Sequence, residues 1–185
     1  MQKIKHIWRG LLTVVLLLAG AGCAALSSSG TPGETLSKDF SRDLGAGQLA
    51  LARGDLFRTL KLDPHNFVAW NNLACLDFRQ HDYPRAQGEI DQALALNPGN
   101  PFLLLNKARL LLARKQYSEA RFLLRSLEPR TPWPRGFRLL LAIADLHTKH
   151  TESARLLLNE IINAHPSDPM AHAYLSRLEK GRNNG

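Results

Sequence analysis

Residues 67–100 read FVAWNNLACLDFRQHDYPRAQGEIDQALALNPGN, and the fold turns on this stretch. Apolar side chains at positions 67, 70, 73, 74 and 78 fall on one face of a 3.6-residue period, so 67–80 is expected to form an amphipathic helix. His81-Asp82 break it, a second amphipathic run covers 83–96, and Asn97-Pro98-Gly99-Asn100 stop that run in turn. Ala74 and Ala86 are small because two closely crossing helices leave room there for little more than a methyl group. Each such hairpin exposes an apolar face that only a neighbouring hairpin can bury, so the units must stack.

Outward from this stretch the pattern recurs. Ala86, Ala120 and Ala154 lie 34 residues apart, as do Pro98, Pro132 and Pro166, the series Leu73, Lys107, Leu141 and the series Ala74, Ala108, Ala142. Asp63-Pro64, Asn97-Pro98 and His165-Pro166 each precede a polar turn and a new apolar stretch. A fixed 34-residue period with small residues at set offsets marks a helical repeat architecture.

The pattern resembles the tetratricopeptide repeat over residues 67–168. In the first full repeat Trp70, Leu73, Ala74, Tyr83, Ala86, Ile90, Ala93 and Pro98 match its large, small, aromatic and proline places. The second, 101–134, keeps Leu104, Ala108, Leu111, Tyr117, Ala120 and Leu124, with Lys107 in place of a packing residue and Leu127 in place of a small one. The third, 135–168, keeps Leu141, Ala142, Ala154, Leu158 and Pro166, with Thr151 where the others carry Tyr83 and Tyr117. The resemblance implies an all-α, right-handed solenoid of helix-turn-helix repeats closed by a C-terminal capping helix.

At the edges the pattern thins. Residues 35–66 are expected to form a degenerate first repeat, with helices near 35–44 and 47–61, although Gly45, Gly47 and Gly54 interrupt the helical pattern. Residues 169–180 are expected to form the capping helix, before a disordered tail over 181–185. Pro129, Pro132 and Pro134 preclude a continuous helix between the second and third repeats and predict a stiff connection, with Trp133 as a staple on the core.

The N-terminal segment is of another kind. Residues 1–9 are short and basic, residues 10–22 are apolar and end in small residues, and Cys23 follows. This is the make-up of a signal peptide, and the 17-residue apolar stretch from Gly10 to Leu26 falls short of the roughly 20 residues of a spanning helix. Gly20-Ala21-Gly22-Cys23 followed by Ala24 resembles a bacterial lipoprotein cleavage box, with Gly20 where Leu is usual. The resemblance implies acylation of Cys23 and a lipid anchor on the periplasmic face of the outer membrane. The polar, turn-rich residues 23–34 would then serve as a flexible tether.

The composition excludes several function classes. The 185 residues carry a formal charge of +8, and loss of Lys3, Lys5 and Arg9 with residues 1–22 leaves +5 over 163 residues. Two cysteines cannot build a disulfide framework. The basic residues are interleaved with acids, as Arg121, Arg125 and Arg130 are with Glu119 and Glu128, and no aromatic-studded basic track suits nucleic acid. Cys75 reads as a small buried hydrophobe rather than a nucleophile, and His147 and His150, three apart, have no third ligand at motif spacing. With no phosphate loop, HExxH or paired-cysteine motif, neither an enzyme nor a cofactor- or metal-binding protein is expected.

Stacked helix pairs offer a concave face. By the resemblance, its peptide-binding lining here is Asn71, Phe78, Arg79, Phe102, Leu105, Arg109, Leu112, Leu139, Ile143, His147 and Arg177. Such a surface suits a helix or extended peptide whose apolar side docks while a carbonyl or carboxylate meets an Arg. The Lys-and-Asn clamp of chaperone-binding members is not reproduced. The architecture is similar to that of lipoproteins accessory to envelope machines, among them type IV pilotins and the tight-adherence (Flp) pilus assembly lipoprotein. It implies a secretin or pilus assembly subunit as partner, with no nucleic acid. A scaffold for peptidoglycan hydrolases or for outer-membrane protein assembly is the alternative, and an enzyme using His147 and His150 the distant one.

Overall fold

The structure is a computed structural model that describes residues 46–127 and 136–183. The signal segment, the tether, the expected helix near 35–44 and the proline-rich connection with Trp133 lie outside these residues. Among the described residues eight helices account for the regular structure: α1 (Ala46–Leu62), α2 (Phe67–Arg79), α3 (Tyr83–Leu96), α4 (Pro101–Ala113), α5 (Tyr117–Leu127), α6 (Phe137–His147), α7 (Thr151–Ala164) and α8 (Pro169–Asn183). The all-α, helix-turn-helix expectation is met. None of these helices is long and apolar enough to cross a membrane.

The starts of the first helices of each pair share a device. Asn66, Asn100 and Asp168 accept hydrogen bonds from the backbone N–H of Ala69 (3.0 Å), Leu103 (3.2 Å) and Ala171 (2.9 Å), which satisfies donors that a helix start leaves open. At the corresponding position 134 the sequence has proline, and α6 begins instead behind Gly136, at φ 87° and without a side-chain cap.

The turn within each pair is also repeated. His81, Lys115 and Lys149 adopt positive φ of 62°, 63° and 65°, at the same 34-residue interval. A left-handed residue other than glycine costs about 1–2 kcal/mol. It is offset by a chain reversal in which the next N–H reaches back five residues: Asp82 to the Asp77 carbonyl (2.9 Å), Gln116 to Leu111 (2.9 Å) and His150 to Asp145 (2.8 Å).

The chain divides into two compact units, one up to Leu110 and one from Leu111. In the first, α1 packs on α2 and α2 on α3. Ala52, Leu56 and Leu60 of α1 meet Ala69, Leu73 and Leu76 of α2, with Leu49 and Trp70 at the margin. The Trp70 indole N–H donates to the Pro64 carbonyl at 2.9 Å, which ties the turn to the helix. Helix α1 runs through Gly54 and covers the expected 47–61, despite the cost of glycine in a helix interior; a Cβ there would meet nothing within 4 Å. In the second unit α5, α6, α7 and α8 pack in series. Ala120, Ala142 and Ala154 are fully buried beside Leu124, Leu141 and Leu158, as the small-residue spacing requires. Helix α8 extends to Asn183, three residues past its expected end and into the segment expected to be disordered.

The candidate functional site

In the first unit Ala74, Cys75 and Phe78 of α2, Ala86 and Ile90 of α3, and Asn106, Arg109 and Leu110 of α4 line a half-open recess with about 20 Å³ of free space. Arg109 is only 3% exposed. Its Nη1 donates to Asn106 Oδ1 at 2.6 Å, and Asn106 Nδ2 donates to Asn71 Oδ1 at 2.7 Å, so a chain of two amides leads from the guanidinium to α2. Both amides also lie 3.9 Å from the Cys75 sulfur. Arg109 Nε is buried without a hydrogen-bond partner, and burial pushes the guanidinium pKa down to about 10. It remains charged at neutral pH.

The expected groove residues separate by burial. Asn71, Phe78, Leu105, Arg109, Leu112, Leu139 and Ile143 are buried, Arg79, Phe102 and His147 are half-buried, and Arg177 is exposed. Leu105 and Ile143, at 1% exposure each, act as packing residues rather than as open groove surface. Asn71, Phe78 and Arg109 do converge, around the recess or the amide chain beside it. Asn106, which completes that set, is not among the residues expected to line the groove.

In the second unit His147 lies flat against Tyr117, with ring centroids 3.9 Å apart and planes 5° from parallel. Burial, reinforced by Arg177, pushes the His147 pKa down and favours the neutral ring. Tyr174 is buried with no partner for its hydroxyl, and desolvation pushes its pKa up to about 12. His150 immediately precedes α7, with its Nδ1 3.0 Å from Thr148 Oγ1. Among the described residues no group of three His, Cys, Asp or Glu side chains is placed to hold a metal ion.

Two buried aspartates on the first helices organise charge in a way the sequence reading missed. Asp77 is fully buried and pairs with Arg53 of α1, and this hydrogen bond pushes the Arg53 pKa up. Asp145 is also fully buried and receives Arg121 Nε and Arg125 Nη2, each at 2.7 Å, together with Ser153 Oγ at 2.5 Å. Arg53 and Arg121 each lie 24 residues before their aspartates. Between these two pairs, Gln87 and Leu111 occupy the same registers. The bond therefore skips one repeat. The usable signal was an Arg and an Asp recurring together at twice the repeat length.

Glu89 adds a proton-sensitive element. Burial, then the charge of Asp77, push its pKa up to about 8. Asp77 Oδ2 and Glu89 Oε2 are both buried and lack partners while both groups are ionised. A proton on Glu89 lets one carboxyl donate to the other. Between pH 4.5 and 8 the folded chain holds this proton and the unfolded chain does not, so stability falls as pH rises through that window. Glu89→Gln is expected to flatten this fall, with a gain at pH 8 over pH 5 of about 1–2 kcal/mol once the half-exposed side chain is discounted. Urea unfolding of both proteins across the pH range measures it; parallel curves would refute the assignment.

The comparisons agree with this geometry. The family model described as tetratricopeptide repeat matches residues 77–136. No curated protein matches the chain. Among solved structures, "MamA RS-1 ArsTM double mutant" is similar with a TM-score of 0.67 and 19% identity, over 84% of this chain and 87% of that one. The fold is thus of tetratricopeptide type.

Proposed function

We propose that the protein is a non-catalytic interaction module, anchored by lipid at Cys23 to the periplasmic face of the outer membrane, that helps to assemble or localise a pilus or secretion complex. The observation that carries the interaction reading is the recess on α2, α3 and α4, where a buried cation is set among apolar walls. Such a mixed surface suits an amphipathic segment of another protein. The anchor reading is supported by the apolar exit, the small residues before Cys23 and the polar stretch after it. Several acyl chains would hold the protein on the membrane stably, where one would not. A secretin or a pilus assembly subunit is the partner class favoured by this combination of anchor and short repeat array.

Two measurements test this reading. Fatty-acid labelling is expected for the natural chain and lost in Cys23→Ser; an unlabelled natural chain refutes the anchor. Cys23→Ser protein captured from envelope extracts is expected to retain a secretin or pilus assembly subunit. Arg79→Glu is expected to reduce that recovery by about tenfold, the effect of some 1.4 kcal/mol, while helicity is unchanged. Recovery of cell-wall hydrolases in place of such a subunit would overturn the pilus assignment.

A further inference from the structure

We infer that the outward ridge formed by Phe122 on α5 and Leu156 on α7 is a second docking face, which takes a basic amphipathic segment of a partner protein. This goes beyond the reading above. It concerns the second unit rather than the recess, and depends neither on the anchor nor on which complex the partner belongs to.

Positions 54, 88, 122 and 156 share one register, 34 residues apart, on the second helices of the pairs. The first two are glycine, and a Cβ at either would meet nothing within 4 Å, so at both the register packs against nothing inside the fold. The next two are Phe122 and Leu156, 78% and 60% exposed. A single apolar side chain on a surface is ordinary. Two large ones in successive repeats, where the same fold manages with a hydrogen atom, serve no packing and hold apolar area in water. Helices α5 and α7 both pack on α6, and stacking of this kind sets equivalent positions of successive repeats side by side.

The surroundings of the ridge select the charge of what covers it. One helical turn before and after Leu156 stand Glu152 and Glu160, whose side chains are 69% and 58% exposed. Glu119 is exposed near Phe122, with Ser118 and Ser126 a turn to either side. The bases of the two helices are turned to acids of the chain: Arg121 and Arg125 meet Asp145, and Arg155 meets Glu152 at 2.6 Å. Arg138 of α6 reaches the edge as the partner of Glu160, at 3.3 Å. Lys115 and Lys149 belong to the preceding turns, about two helical turns from Phe122 and Leu156. On a chain with a formal charge of +8 this ridge is thus apolar with an acidic rim. Such a rim repels an anionic lipid surface, and a second copy applied through the same ridge would set these acids against one another. Lys or Arg flanking an apolar residue complements both parts at once.

The test places p-benzoylphenylalanine at Phe122, Leu156 or Gly88 of the full chain, in the cells that make it, and irradiates them. Positions 122 and 156 are expected to crosslink to one and the same protein at about tenfold the yield of position 88, which holds the same register in the first unit. Mass spectrometry of the joined peptides is expected to find Lys or Arg within about one helical turn of the attachment point. Glu152→Lys with Glu160→Lys is expected to lower the yield about tenfold, and so is Leu156→Ser read from position 122, while far-UV circular dichroism is unchanged. Absence of crosslinks at 122 and 156, equal yield from 88, or a yield indifferent to charge reversal would each overturn the proposal. Attachment to lipid, to a second copy of this chain or to a segment without bases would overturn it as well. These outcomes are read at the second unit, so they hold whether or not capture that depends on Arg79 succeeds.

Discussion

Asp145→Asn is expected to lower the free energy of unfolding by about 3–5 kcal/mol, the cost of breaking a buried ion pair from one side. The side chain is fully buried, and its two oxygens take Arg121, Arg125 and Ser153. The substitution removes the negative charge and turns an NH2 group toward two guanidinium groups that are each about 30% exposed. Those arginines can swing partly into water, which places the expected loss toward the lower end of the range. Urea unfolding followed at 222 nm measures it, and a loss under about 1 kcal/mol would show that the cluster is no more than a surface pair. A second protein separates charge from packing: Asp145→Leu combined with Arg121→Met and Arg125→Met should regain most of the stability, since well-packed apolar replacements of buried ion clusters are often neutral or better.

How much of this was readable in the chain depends on the range over which each feature acts. The helix pairs are set by local periodicity and by turns, so α2 and α3 match the expected 67–80 and 83–96 within a residue. The small residues Ala86, Ala120 and Ala154 are dictated by helix crossings that recur with the repeat, and all three are buried. The ion pairs are of another kind. Arg121 and Arg125 look like solvated charges when read against their sequence neighbour Glu119, yet they reach forward to Asp145 on the next pair. Local charge alternation carries no information about a partner 20 or 24 residues away. The recess was half legible for the same reason. Asn71, Phe78 and Arg109 were named from repeat position, whereas burial of Leu105 and Ile143 depends on which neighbouring helix covers them. Asn106 was missed because its role arises only through Arg109 and Asn71.

Leu141→Lys is expected to cost more than Leu141→Ala, and the reason lies in the register Leu73, Lys107, Leu141. Leu73 and Leu141 are fully buried, whereas Lys107 is partly exposed and its Nζ reaches Asp91 at 3.0 Å. The second repeat tolerates a lysine in a packing place because the long stem covers apolar surface while the ammonium finds a carboxylate at the edge. For Leu141 the position corresponding to Asp91 is Arg125, in the repeat before it. A lysine at 141 would therefore meet a like charge that is already engaged with Asp145. Leu141→Ala should cost about 2–5 kcal/mol through lost contacts and a residual cavity. Leu141→Lys should lie at or beyond the upper end of that range, because an unpaired charge is added to the lost packing. The diagnostic comparison is Leu141→Lys with Arg125→Asp, which places the Lys107–Asp91 pairing between the second and third repeats, set against Arg125→Asp alone because that change also takes a partner from Asp145. A favourable coupling between the two changes, read from urea midpoints of both single variants and the double, is expected if the partner at that register decides whether lysine is accepted. If the losses of the two single variants simply add in the double variant, burial by itself governs the site and the tolerance of Lys107 has another cause.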